Sequence, residues 1–203
     1  SPRIRERMKE LGIDSEAGLQ SYFITRMEKY INEKGKQLIG WDEILEGGLA
    51  PNAVVMSWRG TEGGIVAAKA GHQAVICPGS HCYYDHYQAD PETEPLAIGG
   101  YTPLIKAYQF EPIPSELTQE EARFILGGQA NLWTEYIPTP EHAEYMLFPR
   151  ITALAESVWS LPERKNWPDF KNRVERQLAW YDRLRIRYCP ATLSAPLELE
   201  KQE

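Results

Sequence analysis

The chain predicts an α/β fold built on a parallel sheet. Three observations lead there: short apolar runs at 37–40, 53–57 and 73–77 that are continuous rather than alternating, helical patterns between them, and an aromatic residue at the end of each run or in the loop after it. Continuous apolar strands alternating with helices indicate a sheet covered on both faces, not an antiparallel sandwich.

Taken in order, Asp14, Ser15 and Glu16 offer a helix cap, and Leu19, Tyr22, Phe23, Met27, Tyr30 and Ile31 recur at helical spacing up to a stop near Gly35. Gln37 to Gly40 reads as a first strand ending at Trp41. Pro51 and Asn52 mark a turn, and Ala53 to Ser57 reads as a second strand ending at Trp58. TEGGIVAAKAG is a small-residue helix with Gly71 just past its end, and Gln73 to Cys77 is a third strand. Residues 78–117 form a long proline-rich irregular region carrying SHCYYDHYQAD, and a loop of that length in an α/β unit is usually functional.

Thr118 and Glu121 form a capping box for a short helix. GGQANLWTEY, residues 127–136, reads as a fourth strand. Thr139, Pro140 and Glu141 then open a helix expected to run to about Trp159, and a last helix is expected from about Trp167 to Tyr188. The chain reads as one unit, with a loosely held tail over residues 190–203.

Composition bounds the partners. With 203 residues, 42% hydrophobic and 25% charged, the chain has material for a sizeable core. A net charge of -7 with no basic run excludes nucleic acid as the expected partner, and no apolar stretch is long enough for a membrane helix. Three cysteines, Cys77, Cys82 and Cys189, are too few for a disulfide framework. Cys77, His81, Cys82 and His86 lie within ten residues, but their spacing matches no standard zinc pattern, so no metal and no cofactor is expected.

The chemistry gathers at the strand ends. In GGQANLWTEY, Trp133 and Glu135 are two apart, so on an extended backbone both side chains point the same way. An indole beside a carboxylate suits a sugar, whose ring stacks on the aromatic while its hydroxyls donate to the acid. Ordinary packing would give the same pair once. Trp41, Trp58 and the Tyr83-Tyr84-Asp85 segment repeat the theme at other strand ends, the side of a parallel α/β structure where active sites form.

Several ordered motifs carry a resemblance: GWDE, SWRG, YYD after VICPGS, and GGQANLWTEY followed by PRITALAESVWS. Together they resemble the C-terminal half of the family-20 glycoside hydrolases, the β-N-acetylhexosaminidases. That resemblance implies the last four βα units of a (β/α)8 TIM barrel, and hence a fragment whose N-terminal half lies elsewhere. It further implies that Trp41, Trp58 and Trp133 line the pocket for the N-acetyl group, that Tyr83 hydrogen-bonds the acetamido oxygen as the catalytic contact, and that Asp85 and Glu135 hold hydroxyls at the C4 and C6 end of the sugar. The substrates implied are β-linked N-acetylhexosaminide glycans, in a secreted, periplasmic or lysosomal-type compartment.

The chain departs from the family in lacking its His-x-Gly-Gly-Asp-Glu motif, which carries the acid, and the first-strand arginine that binds hydroxyls. Asp42 and Glu43 follow a different strand, and adjacent residues on an extended backbone point apart, so solvent exposure or hydrogen bonding behind the site is their expected role. The AIGGY stretch lacks the tryptophan that some relatives place beyond the cleavage point. The isolated chain is therefore expected to be inactive, and a non-catalytic sugar-binding or structural half-barrel is the competing reading. A half-barrel also leaves two strand edges uncovered, a route to homo-oligomers.

Overall fold

A computed structural model of the chain describes residues 1–199. Its elements run α1 (Pro2–Leu11), α2 (Glu16–Glu33), β1 (Ile39–Trp41), β2 (Val54–Ser57), α3 (Glu62–Lys69), β3 (Ala74–Ile76), α4 (Gly79–Cys82), α5 (Leu104–Gln109), α6 (Gln119–Ala122), β4 (Ile125–Gly128), α7 (Pro140–Leu147), α8 (Arg150–Trp159) and α9 (Trp167–Leu184). The chain folds as two compact units, Ser1–Ile76 with Ile113–Gly127, and Cys77–Pro112 with the residues from Gly128 on.

The first unit contains the expected sheet, in strand order β1-β2-β3-β4. β1 and β2 pair in parallel with Ile39 opposite Val54, and β2 and β3 with Val55 opposite Ala74. The Ala74 N–H donates to the Phe124 carbonyl just before β4 at 2.9 Å. One face of this sheet packs on α2 through Leu38, Ala53 and Val55 against Ile24, Met27 and Ile31. Ala67 and Ala68 of α3 are fully buried, and small side chains there let the helix approach closely. Ser15 caps α2 as its sequence predicts, accepting from the Gly18 N–H at 3.0 Å.

Sequence patterning missed α1. Ser1 caps it, Pro2 occupies its first turn, and Gly12 closes it in the left-handed region at φ 64°, but none of its residues is buried. Its termination signals were legible, while its mostly polar surface gave no periodic core face to detect.

In the second unit the region expected to be irregular is partly ordered, since it contains α4 and α5. Tyr108 of α5 stacks on Phe170 of α9 with ring centroids 4.3 Å apart, its hydroxyl donates to Glu156 of α8 at 3.3 Å, and Arg173 of α9 forms an ion pair with Glu156 at 2.6 Å. The single helix expected from Thr139 to Trp159 is two helices, because Pro149 has no N–H to continue the ladder and forces Phe148 into an extended conformation at ψ 138°. α9 stops at Leu184, earlier than Tyr188, with Arg185 in the left-handed region at φ 59°.

The loosely held tail does not begin at Pro190. Thr192 is buried and accepts from the Leu104 N–H at 2.9 Å, and the Tyr101 hydroxyl donates to the Pro196 carbonyl at 2.8 Å. The last part of that expected tail, residues 200–203, lies outside the described residues.

Gly47 marks a backbone constraint in the first unit. Its φ is 80°, and a Cβ there would overlap the Ala17 carbonyl of α2. Gly47→Ala should therefore lower stability by more than ~1 kcal/mol, read as a fall in the urea midpoint relative to the unaltered chain. An unchanged midpoint would show that α2 and this turn can separate without cost.

Candidate functional site

The first unit presents two of the expected aromatics, Trp41 and Trp58, both half-buried. β1 ends at Trp41, and the chain turns at once into a 3-10 turn, Asp42–Leu45. That turn changes the geometry expected of Asp42 and Glu43. Instead of pointing apart from an extended strand, both carboxylates reach the residues after β2. Asp42, only 2% exposed, accepts from the Trp58 N–H at 3.1 Å, the Arg59 N–H at 3.2 Å and the Arg59 Nε at 2.6 Å. Glu43 accepts from the Trp58 indole Nε1 at 3.1 and 3.2 Å. Trp58 is thus fixed at both its backbone and its ring, and Arg59 is braced further by Glu46 at 2.9 Å.

The second unit assembles the Tyr83-Asp85 segment. The Asn131 N–H donates to the Cys82 carbonyl and the Tyr84 N–H donates to the Asn131 carbonyl, each at 2.8 Å. Tyr83 is held between these two bonds, in an isolated parallel bridge with Asn131. Asp85 is 4% exposed and accepts from its own N–H and from that of Trp133, while its Oδ1 is buried without a hydrogen-bond partner. Burial raises its carboxyl above the usual carboxylate range and Glu135 adds to the rise, while those N–H groups and the Arg150 charge oppose it.

His86 backs this segment. Its ring lies 5.6 Å from that of Tyr83, and its Nδ1 is 3.2 Å from the Thr102 hydroxyl. Gly100, at φ 66°, leaves the space the imidazole fills, since a Cβ there would stand 2.5 Å from His86 Nδ1. Burial, helped by the charges of Arg150 and Lys106, lowers the His86 pKa to about 4, so the ring is neutral near pH 7.

Trp133 and Glu135 are not on a strand. β4 ends at Gly128, the bridge at Asn131 follows, and both residues lie beyond it in a loop that turns at Glu135 and Tyr136. The same-face spacing expected of them therefore does not apply. The loop brings the Trp133 N–H toward Asp85, where it favours the charged carboxylate. Trp133 is 42% exposed and Glu135 is exposed.

Among the described residues, no three His, Cys, Asp or Glu side chains converge as metal ligands. Cys77 and Cys82 are fully buried, and burial raises the Cys82 thiol pKa, which leaves it protonated and poorly suited to ligation.

Sequence reasoning also missed Arg150, which is fully buried against the Tyr84-Asp85-His86 backbone. A signal was present. Arg150 is the first residue of α8, where the helix dipole disfavours a cation, so a tertiary reason for it had to exist.

Parallel βα units that carry aromatic and carboxylate groups past their strands fit a segment of a (β/α)8 barrel. Comparison makes the class specific: the chain belongs to glycosyl hydrolase family 20, whose catalytic-domain model matches residues 1–162. A β-hexosaminidase of Porphyromonas gingivalis is 49% identical over 185 residues, which is 91% of this chain and 24% of that protein. A β-N-acetylhexosaminidase of Cellulomonas fimi is 33% identical over 165 residues, 78% of this chain and 32% of that protein. The crystal structure of a family-20 exo-β-N-acetylglucosaminidase from Vibrio harveyi in complex with N-acetylglucosamine matches with a TM-score of 0.81 and 31% identity, over 93% of this chain and 30% of that one. The chain thus spans a quarter to a third of the length of these relatives.

Two outcomes follow from the geometry. Asp42→Ala leaves the Trp58 and Arg59 donors without their acceptor, and should cost ~1.5–3 kcal/mol in urea unfolding while shifting tryptophan fluorescence. A variant matching the parent in both would deny Asp42 its role. For His86, the unfolded ring takes up a proton below about pH 6.5 and the folded one only near pH 4, so its contribution to stability is present at neutral pH and is lost as pH falls through that window. His86→Phe should flatten the dependence of the urea midpoint on pH across it, and an unaltered slope would contradict this.

Proposed function

We propose that this chain is the C-terminal part of the catalytic domain of an exo-acting β-N-acetylhexosaminidase that removes terminal N-acetylglucosamine or N-acetylgalactosamine from β-linked glycans. Family membership supports the activity class, and the observation that carries the site is Asp85. A buried carboxylate oxygen without a donor is costly, and a sugar hydroxyl is a group that repays that cost.

In this reading the reaction retains configuration and uses the substrate's own acetamide. The acetamido oxygen attacks the anomeric carbon as the glycosidic bond breaks, and a carboxylic acid delivers its proton to the departing oxygen. Water then opens the oxazolinium intermediate and restores the acid. Tyr83 donates its phenolic hydrogen to the acetamido oxygen and orients it, and Trp41, Trp58 and Trp133 provide aromatic contacts that bend the acetamide toward attack. Asp85 and Glu135 accept from hydroxyls at the C4 and C6 end.

The 203 residues contain no His-x-Gly-Gly-Asp-Glu sequence, so the acid is supplied by an N-terminal part of the barrel outside them. That favours, for the isolated chain, a non-catalytic sugar-binding or structural role. Ile39 on β1 and Leu126 on β4, at the two sheet edges and each 54% exposed, fit surfaces that further strands or a second copy cover.

The complete protein should release p-nitrophenol from its β-N-acetylglucosaminide, and residues 1–203 alone should not. Turnover by the isolated chain would overturn the division of labour, and an inert complete protein would overturn the activity. In the complete protein Tyr83→Phe should lower kcat and Glu135→Gln should mainly raise KM, each by ~1.5–3 kcal/mol of transition-state or binding energy. Unchanged kinetics in both would remove these assignments.

A further inference from the structure

Arg150 is the largest fully buried side chain among the described residues, and none of the roles above uses it. Its five N–H groups are all engaged, and every acceptor is a backbone carbonyl. Nε donates to Met146 at 3.1 Å, Nη1 to His86 at 3.1 Å and Thr102 at 2.9 Å, and Nη2 to Tyr84 and Met146, each at 2.5 Å. The guanidinium lies over the Tyr84 ring at 4.8 Å, and the Tyr84 hydroxyl donates to the Arg150 carbonyl at 3.1 Å. Among the described residues Arg150 forms no ion pair.

A buried cation with no carboxylate at ion-pair distance is a poor way to gain stability, because its desolvation is repaid mainly by dipoles, with weaker help from the more distant charges of Asp85 and Glu94. The acceptors show what it does instead. Tyr84 and His86 are the residues on either side of Asp85, Tyr84 directly follows Tyr83, and Thr102 comes from the strand-like stretch beside His86. One rigid planar fork therefore fixes the two carbonyls that bracket Asp85 and ties them to the start of α8. Burial lowers the Arg150 pKa to about 10, which leaves it charged near neutral pH.

We propose that Arg150 is a positioning residue for the glycosidase reaction, holding the Tyr83–Asp85 segment in the geometry that grips the sugar. This rests on the function proposed above for Tyr83 and Asp85. Lysine cannot replace it, since an ammonium on a flexible stem lacks the fork that spans Tyr84, His86 and Thr102. A displacement of about 1 Å at an orienting group can cost up to ~100-fold in rate.

The test uses the complete protein and p-nitrophenyl N-acetyl-β-glucosaminide, comparing parent, Arg150→Lys, Tyr83→Phe and the double variant. If the parent is inactive, the proposed function itself fails, and the inference falls with it. With an active parent, folded Arg150→Lys should lose at least tenfold in kcat/KM, and Tyr83→Phe should cost much less in that background than in the parent, because the tyrosine is already displaced. Folded Arg150→Lys with kcat/KM within twofold of the parent, or effects that simply multiply, would overturn the proposal. Should Arg150→Lys fail to fold, Tyr84→Phe takes its place in the cycle, removing only the hydroxyl bond to the Arg150 carbonyl. Its coupling to Tyr83→Phe supports the inference, and independence overturns it.

Discussion

Burying a guanidinium sets a stringent requirement on everything around it, because five donors have to find acceptors in places water cannot reach. In the second unit that requirement is met by carbonyls from three separated stretches: 84–86, 102 and 146. A long loop with little regular structure is thereby fixed to the first turn of a helix. Buried apolar side chains such as Tyr84, Leu104 and Phe110 contribute to the loop's order. The guanidinium adds a stricter condition, because releasing any of those stretches would leave a charged donor buried and unpaired, which costs far more than the bond itself returns.

The first unit solves a related problem with the opposite charge. Asp42 is the buried acceptor, and its partners are the backbone and guanidine N–H groups of the residues just after the neighbouring strand. In both units a fully buried ion works on backbone dipoles near the C-terminal ends of parallel strands. The aromatic and carboxylate side chains proposed to meet the sugar are then carried on backbone that is already immobilised, as pre-organised recognition requires.

Much of the fold was legible because it is written in local rules. The continuous apolar runs gave the parallel sheet, and the caps at Ser15, Thr118 and Thr139 formed where the sequence placed them. What failed had non-local causes. Pro149 was a visible breaker overridden by a strong helical pattern on either side. Trp133 and Glu135 were read as part of a strand over 127–136, whereas the strand ends at Gly128 and the loop that follows is held by contacts to distant residues, such as the bonds between Asn131 and the Cys82–Tyr84 backbone. Asp42 and Glu43 were expected to face solvent or to hydrogen-bond behind the site; the structure shows the second, made from a turn and not from an extended strand. The docking of Thr192 and Pro196 could not be read at all, since its partners, Leu104 and Tyr101, lie about ninety residues away. Arg150 left a trace only in its misplacement at the positive end of a helix.

The three cysteines have a practical consequence. Cys77, Cys82 and Cys189 are all inaccessible to solvent, and burial raises the pKa of both Cys82 and Cys189, the latter to about 11. A thiol that is both shielded and protonated is nearly inert to alkylating reagents until its surroundings open. Cys77 and Cys82 lie close together at the start of the 77–112 stretch, the second of them at the end of α4, and Cys189 lies after α9. The protein thus carries built-in clocks, and the rate at which each sulfur is alkylated reports how often its own neighbourhood opens.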